Sequence, residues 1–246
     1  MSEFSFKGKT ALVTGANRGI GEGFVHTLIK QGVETIYCAV RELNSLSPLI
    51  AKYPEQIKPI QLDVTKPDTI KQLSEKIKHL DILVNNAGIA NACNSSSEET
   101  IDIARAEMEV NFFGPVQVTY ALLPALKRSK EAAIVNICSI AAISNFPAIG
   151  PYSATKAAIH SFTQGLRYDL SIDNIKVVGV YPGPINTRMA EGWEMEKPQP
   201  EQVAIKTCEA LEAGNIDVMP DDFSTQLYET FLSHPHELEN ALAQMQ

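Results

Sequence analysis

Short apolar runs recur along this chain, and the stretches between them carry a helical period. The runs predict strands at about 10–14, 34–39, 57–62, 81–84, 133–138, 176–181 and 216–219, each short and bounded by turn residues. After the first run, Phe24, Val25, Leu28 and Ile29 fall on one face. In the segment Asp68 to His79, Ile70, Leu73 and Ile77 form a second apolar stripe. Spacings of i, i+3, i+4 and i+7 mark half-buried helices. Two more helices are predicted around 101–128 and from Tyr152 to about Ser171. Strands without polar alternation are buried on both faces, and strands alternating with helices build a parallel sheet. The fold class is therefore α/β, a doubly wound parallel sheet of about seven strands flanked by helices on both faces, in one domain over 1–246. Such sheets bind ligands beyond the carboxyl ends of their strands, where the strand order reverses. The least regular stretches are Ile89 to Thr100 and Arg188 to Glu201. The second is placed to cover one side of a site at those ends.

The first strand, Thr10-Ala11-Leu12-Val13-Thr14, runs into Gly15-Ala16-Asn17-Arg18-Gly19-Ile20-Gly21 and then into a helical pattern. In that context glycines let the backbone approach a pyrophosphate, and the helix N-terminus presents N–H groups without intrahelical partners. The spacing is Gly-x3-Gly-x-Gly rather than Gly-x-Gly-x-x-Gly. No Gly-Lys-Ser/Thr follows, which excludes a phosphate-transferring P-loop. Alone, the turn is equally compatible with a tight connection that binds nothing.

Later in the chain Ser139 precedes Tyr152 by thirteen positions, and Lys156 follows four beyond. If Tyr152 opens a helix, that spacing stacks phenol and ammonium one turn apart on one face. A free tyrosine titrates near 10, too high for acid–base work at neutral pH. A nearby cation favours the phenolate. Lowering the value to about 7–8 takes roughly 3–4 kcal/mol, at about 1.36 kcal/mol per unit. Ser139, just past an apolar strand, could hold a substrate oxygen beside the phenol. Asn111 stands four residues before Pro115, which has no N–H to donate to the Asn111 carbonyl. The Gly114-Pro115 pair is expected to kink its helix and free that acceptor.

Taken together these motifs resemble the short-chain dehydrogenase/reductase family in its single-domain, Rossmann-like form. The match runs through Thr14-Gly15-x3-Gly19-x-Gly21, Asp63-Val64, Asn85-Asn86-Ala87-Gly88, Asn111, Ser139, Tyr152, Lys156 and Pro182-Gly183-x-Ile185-x-Thr187, in order and in register. The resemblance implies hydride transfer between a nicotinamide and a carbonyl or alcohol. It makes Tyr152 the general acid or base, with Lys156 depressing its pKa and hydrogen-bonding the nicotinamide ribose. Ser139 holds the substrate oxygen, and Asn111 holds a water that links the lysine to solvent. Gly15, Asn17, Arg18, Gly19, Ile20 and Gly21 take the pyrophosphate. Asp63 and Val64 meet the adenine, and Asn86 and Gly88 the ribose. Pro182 and Gly183 face the nicotinamide, with Ile185 and Thr187 at its carboxamide.

Cofactor choice turns on the end of the second strand, where an acidic residue would favour NAD. Here Ala39-Val40-Arg41 puts valine and then arginine there, and Arg18 adds a second cation. Two guanidiniums suit a 2′-phosphate, so the expected cofactor is NADP(H). Glu42 is expected to begin the next segment and point away.

Composition narrows the rest. With 246 residues and 44% apolar content the chain can bury a large single core. A net charge of −8, a pI near 5.2 and no long basic cluster argue against a nucleic-acid partner. No run reaches the roughly eighteen apolar residues of a membrane span, and Met1-Ser2-Glu3-Phe4-Ser5 lacks a signal-peptide pattern. Cys38, Cys93, Cys138 and Cys208 are scattered and read as reduced thiols, two of them inside strands. A soluble cytoplasmic protein is expected. His26, His79, His160, His234 and His236 have no metal-ligand spacing, and no metal is expected. Apolar residues on several faces of the two long helices, among them Val116, Val118, Leu122, Leu123, Ile159, Phe162 and Leu166, point to an interface. Resemblance makes this a homodimer or homotetramer. Ile140 to Phe146, Met189 and Trp193 are expected around a small-molecule substrate, which suits an apolar carbonyl compound or alcohol. Steroid, quinone, short aldehyde and ketoester all stay open, with carbonyl reductase as the leading activity. The competing reading is a redox sensor that binds NADP(H) without turnover. An epimerase or dehydratase would need a substrate domain for which the chain has no room.

Overall fold

The structure is a computed structural model and describes residues 4–244. Seven strands, β1 (Thr10–Thr14), β2 (Thr35–Val40), β3 (Ile57–Gln61), β4 (Ile82–Asn85), β5 (Ala132–Ile137), β6 (Ile175–Val180) and β7 (Asp217–Val218), form one sheet. Its order is β3-β2-β1-β4-β5-β6-β7, and every pairing is parallel. The order reverses between β1 and β4, which pair in register through Leu12 and Leu83. A crevice opens there at the carboxyl ends, because the connections leave the two strands in opposite directions.

The period of two along each strand divides the core into two layers. Ala11 and Val13, Ile82 and Val84, and Val178 and Val180 face α1 (Gly19–Lys30) and α7 (Pro200–Ala213), packing on Phe24, Leu28, Val203 and Leu211. Leu12, Leu83, Ile134 and Val177 face the other way, onto Leu73 of α3 (Pro67–Lys76) and Leu122 and Leu126 of α5 (Gly114–Leu126). Each such fully buried side chain contributes about 1.5–3 kcal/mol. α2 (Ser47–Lys52) covers the β2–β3 edge with Leu49.

The helix predicted over 68–79 ends at Lys76, where Ile77 turns to an extended backbone yet stays buried. The helix expected around 101–128 comes as α4 (Thr100–Met108), a π turn over Glu109–Phe113, and α5. Within the π turn the Gly114 N–H reaches back to the Glu109 carbonyl, one residue further than in an α-helix. Pro115 has no N–H for the α pattern, so the chain takes the wider turn. α6 (Gly150–Asp169) begins two residues before Tyr152 and sets it in the first turn. Two C-terminal helices, α8 (Asp222–Ser233) and α9 (Pro235–Ala243), fold over the carboxyl ends of the sheet. Leu238 and Leu242 of α9 share a cluster there with Ile140, Phe146 and Tyr152.

α1 and α7 meet at a glycine. A Cβ on Gly23 would lie 2.8 Å from the carbonyl carbon and oxygen of Pro200. Gly23→Ala gains about 1 kcal/mol of helix propensity but forces backbone against backbone, and overpacking costs roughly 1–3 kcal/mol. The variant should therefore unfold at lower denaturant with an unchanged slope. A midpoint at or above wild type would mean that α7 yields freely at this contact.

Candidate active site

The glycine turn forms as the sequence predicts. Gly15 and Gly19 adopt positive φ angles of 65° and 56°, a region that side chains with a Cβ rarely enter. Arg18 precedes α1 without offering a side-chain cap, so the first N–H groups of the helix remain available to an anion. The turn is stapled to the end of β4. The Asn86 and Ala87 N–H groups donate to the Thr14 hydroxyl at 2.9 and 3.0 Å. Asn86 Nδ2 donates in turn to the Thr14 carbonyl at 2.8 Å. Gly21 packs under the turn, where a Cβ would lie 2.2 Å from the Gly15 carbonyl oxygen. Thr187 closes the far side, 3.1 Å from where a Cβ on Gly19 would be.

A cavity of about 1300 Å³ extends from this turn across the carboxyl ends of the sheet. That exceeds a typical single-ligand pocket and leaves room for a dinucleotide beside a second molecule. The lining includes Gly15, Asn17, Arg18, Gly19, Ile20, Arg41, Asp63, Val64, Asn86, Gly88, Pro182, Gly183, Ile185 and Thr187, together with Ser139, Tyr152 and Lys156. Gly21 and Asn111 lie beneath that surface. At one end Arg41, just past β2, and Arg18 are exposed. Burial raises the Asp63 carboxyl, but hydrogen bonds from Thr65 and the charges of Arg41 and Lys66 outweigh it and leave it below the ordinary range. One Asp63 oxygen takes both the backbone N–H and the hydroxyl of Thr65, at 2.9 and 2.8 Å. Glu42 departs from expectation. It opens the 3-10 turn Leu43–Leu46, yet it lines the same cavity as Arg41.

At the other end β5 and α6 converge. Ser139 stands two residues past β5 in extended backbone and precedes the turn Ile140–Ala142. Its hydroxyl accepts from the Ala141 N–H at 3.1 Å and reaches the Pro182 carbonyl at 3.4 Å. Tyr152 and Lys156 are 8% and 5% exposed, and Lys156 Nζ lies 5.5 Å from the centre of the Tyr152 ring. The ammonium donates to the Ile137 carbonyl at 2.8 Å. Burial pushes the ammonium down to about 8. It pushes the phenol well above its ordinary value, while the neighbouring Ser139 hydroxyl pulls it back. Without cofactor, then, Tyr152 rests as a neutral phenol. The sequence argument considered only the cation and missed the larger effect of desolvation.

Asn111 sits in the π turn with its side chain committed. Oδ1 accepts from the Ile89 N–H at 2.9 Å, and Nδ2 donates to the Ile89 carbonyl at 2.9 Å and to the Thr155 hydroxyl at 3.0 Å. Anything Asn111 offers to Lys156 must therefore come from its main chain. Gly88 brings the groups together, since a Cβ there would lie 3.2 Å from Asn111 Oδ1 and 3.9 Å from Lys156 Nζ. Phe146, Met189 and Trp193 line the remaining space as expected, and Ile149 and Phe223 join them. Sequence reading placed Thr14 in the turn motif but gave its hydroxyl no role, and it missed Phe223, whose helix arrives from the far end of the chain. It also missed Glu107, which the helical period places next to Asn111. Asp221 secures that C-terminal approach by accepting from the Gly183 N–H at 2.9 Å and the Ser224 N–H at 2.8 Å. His160, expected to be ordinary, bonds the Tyr181 hydroxyl at 2.7 Å beneath the sheet end. All four cysteines are free and buried. Among the described residues no helix is long and apolar enough to cross a membrane.

Comparisons with known proteins bear on the fold and the family. A family model described as short chain dehydrogenase matches residues 9–198. Estradiol 17-beta-dehydrogenase 2 of Rattus norvegicus is 36% identical over 201 residues, 77% of this chain and 52% of that protein. The chain thus spans about half the length of that curated relative. Among solved structures, a short chain dehydrogenase from Burkholderia cenocepacia in complex with NADP superposes with a TM-score of 0.91 at 31% identity, covering 97% of this chain and 99% of that one. The NADPH-bound carbonyl reductase from chicken fatty liver gives 0.76 at 27% identity, covering 84% and 92%. The family model covers most of the chain and the fold superposes on a solved member, and the chain belongs to the short chain dehydrogenase family.

Proposed function

We propose that this protein is an NADP(H)-dependent oxidoreductase that moves hydride between the nicotinamide and a carbonyl or alcohol, acting chiefly as a carbonyl reductase. The convergence of Ser139, Tyr152 and Lys156 on one cavity with the glycine turn is the observation that supports it. The bound nicotinamide supplies or accepts the hydride. Tyr152, resting as a neutral phenol, gives its proton to the carbonyl oxygen during reduction. Ser139 donates a hydrogen bond to the same oxygen in place of its 3.4 Å contact with Pro182. Lys156 stabilises the phenolate that Tyr152 becomes, in a water-poor pocket where one charge acts strongly on another. Phe146, Ile149, Trp193 and Phe223 favour an apolar carbonyl compound and exclude water from the transfer.

Removing the acid tests this assignment. Tyr152→Phe should bind NADPH normally while kcat on an apolar carbonyl panel falls by roughly 10²–10⁴. More than a tenth of wild-type kcat would sink the role of Tyr152.

Arg18 and Arg41 line the cavity at the end of β2 where a 2′-phosphate would lie. A charge-assisted contact is worth roughly 1.5–3 kcal/mol, or about 10- to 150-fold in affinity. Arg41→Ala should lose that factor for NADPH and change NADH little. Adding Val40→Asp should reverse the preference, read by fluorescence titration of the reduced nicotinamide. Equal weakening of both cofactors would make Arg41 a residue of the fold.

We infer that the protein is a homo-oligomer, a reading supported by the aromatic surface exposed along two helices and the π turn between α4 and α5. Phe113, Tyr120 and Tyr168 are 44, 81 and 84% exposed. Val118, Leu122 and Ile159 instead point into the core, while Val116, Leu123, Phe162 and Leu166 are half-buried. The proposed interface is thus carried by Phe113 in the π turn, Tyr120 of α5 and Tyr168 of α6. Light scattering should give at least twice 26.9 kDa, and a single 26.9 kDa species would refute it.

A further inference from the structure

The irregular segment between β6 and α7 closes on itself. The Asn186 N–H donates to the Pro198 carbonyl at 3.0 Å, so the two ends of the loop meet. Between them lies the 3-10 turn Arg188–Ala190, and then no regular element until Pro200. Main-chain carbonyls in such a stretch have no strand ladder or helix to bond, and another donor must satisfy them. Lys197 is that donor. Its Nζ donates to the Ala190 carbonyl at 2.8 Å and to the Trp193 carbonyl at 2.8 Å. Its neighbours in sequence, Glu191, Glu194 and Glu196, are exposed. Among the described residues none of the three forms an ion pair with it. A lysine among glutamates ordinarily stays in water and pairs loosely with them. This one is half-buried and bonds main chain instead.

The two carbonyls belong to the part of the loop that meets the cavity. Met189, next to the buried Ala190, lines it, and so does Trp193. The Trp193 indole packs on Phe146 with ring centres 6.2 Å apart and planes at 62°. The Trp193 N–H also donates to the Ala190 carbonyl at 3.1 Å, so the ammonium fastens two residues that already touch. An ammonium suits this place, because it offers three donors from one point on a flexible stem. We propose that Lys197 is a positioning residue for the substrate. By tying Ala190 to Trp193 it holds the indole against Phe146 as a wall of the cavity, and so sets which carbonyl compounds fit. Only the consequence for substrate rests on the oxidoreductase reading above; the placement of the indole does not.

Trp193 is the only tryptophan in the chain, so its fluorescence reports on this loop alone. Lys197→Met keeps the apolar stem and removes every donor. Its emission, read without ligand, should move to the red and be quenched more strongly by acrylamide, with the denaturation midpoint near wild type. KM for apolar carbonyl compounds should rise about tenfold, the worth of one charge-assisted hydrogen bond. The value of kcat and the dissociation constant for NADPH should change little, as when ground-state and transition-state binding are lost together. Lys197→Arg restores charge and donors and should lie closer to wild type in both emission and KM. Glu194→Gln and Glu196→Gln should leave both readings in place. Unmoved emission in Lys197→Met means that Phe146 alone holds the indole, and overturns the proposal. A shift as large in Lys197→Arg, or in either glutamine variant, overturns it too, since donation to the two carbonyls is then not what matters. A red shift with unchanged KM refutes the role in substrate fit. If wild type turns over no carbonyl compound, the oxidoreductase reading fails, while the emission still decides whether Lys197 holds the loop. Should Lys197→Met not fold, Lys197→Gln, neutral and one atom shorter, must shift the emission in the same direction by a smaller amount, and an unmoved emission overturns the proposal.

Discussion

A buried ammonium is the constraint around which this active site is arranged. Taking such an ion out of water costs several kcal/mol even after the protein relaxes. Lys156 is nonetheless almost wholly enclosed, and among the described residues its one hydrogen-bond partner is the Ile137 carbonyl. That carbonyl ends β5, so the strand that presents Ser139 also anchors the cation. The helix that presents Lys156 also presents Tyr152, one turn earlier. Ser139, Tyr152 and Lys156 therefore owe their relative positions to one strand end and one helix start.

The neighbouring helix is shaped by the absence of a donor. Pro115 breaks the α pattern, the chain widens into a π turn, and Asn111 in that turn and Glu107 near the end of α4 both turn to the loop after β4. A second polar ladder lies deeper, where Asn85 donates to Asn136 at 2.9 Å and Asn136 to Thr163 at 2.9 Å. It ties β4, β5 and α6 together beneath the site, and each buried amide fixes the next. Such networks specify one arrangement because a partly satisfied alternative is costly.

Much of this was legible in the sequence, for reasons that differ by residue. Strand and helix positions follow from apolar period, and the glycine turn follows from backbone chemistry that few residues can supply. The Tyr152 and Lys156 pair was legible because helical spacing is rigid. The environment around the pair was not. Desolvation of Tyr152 depends on Leu238 and Leu242, helix residues nearly a hundred positions away that no local pattern connects to it. Glu107 gave no signal in the sequence, because it is the loop after β4, held through Asn91, that buries it. Val118, Leu122 and Ile159 belong to apolar stripes on several faces of their helices, and apolarity alone does not say which face the sheet will cover.

The contact between Gly23 and Pro200 joins residues 177 positions apart in the chain. Helix α1, whose N-terminus completes the glycine turn, lacks its packing partner until α7 exists. During synthesis the first half of the sheet can pair while that flank of α1 stays wet. Long-range closures of this kind are slow, because chain entropy must be lost before the contact forms. The nascent protein thus passes through a stage with its strands made and an apolar seam open, and it is in that interval that aggregation competes with folding.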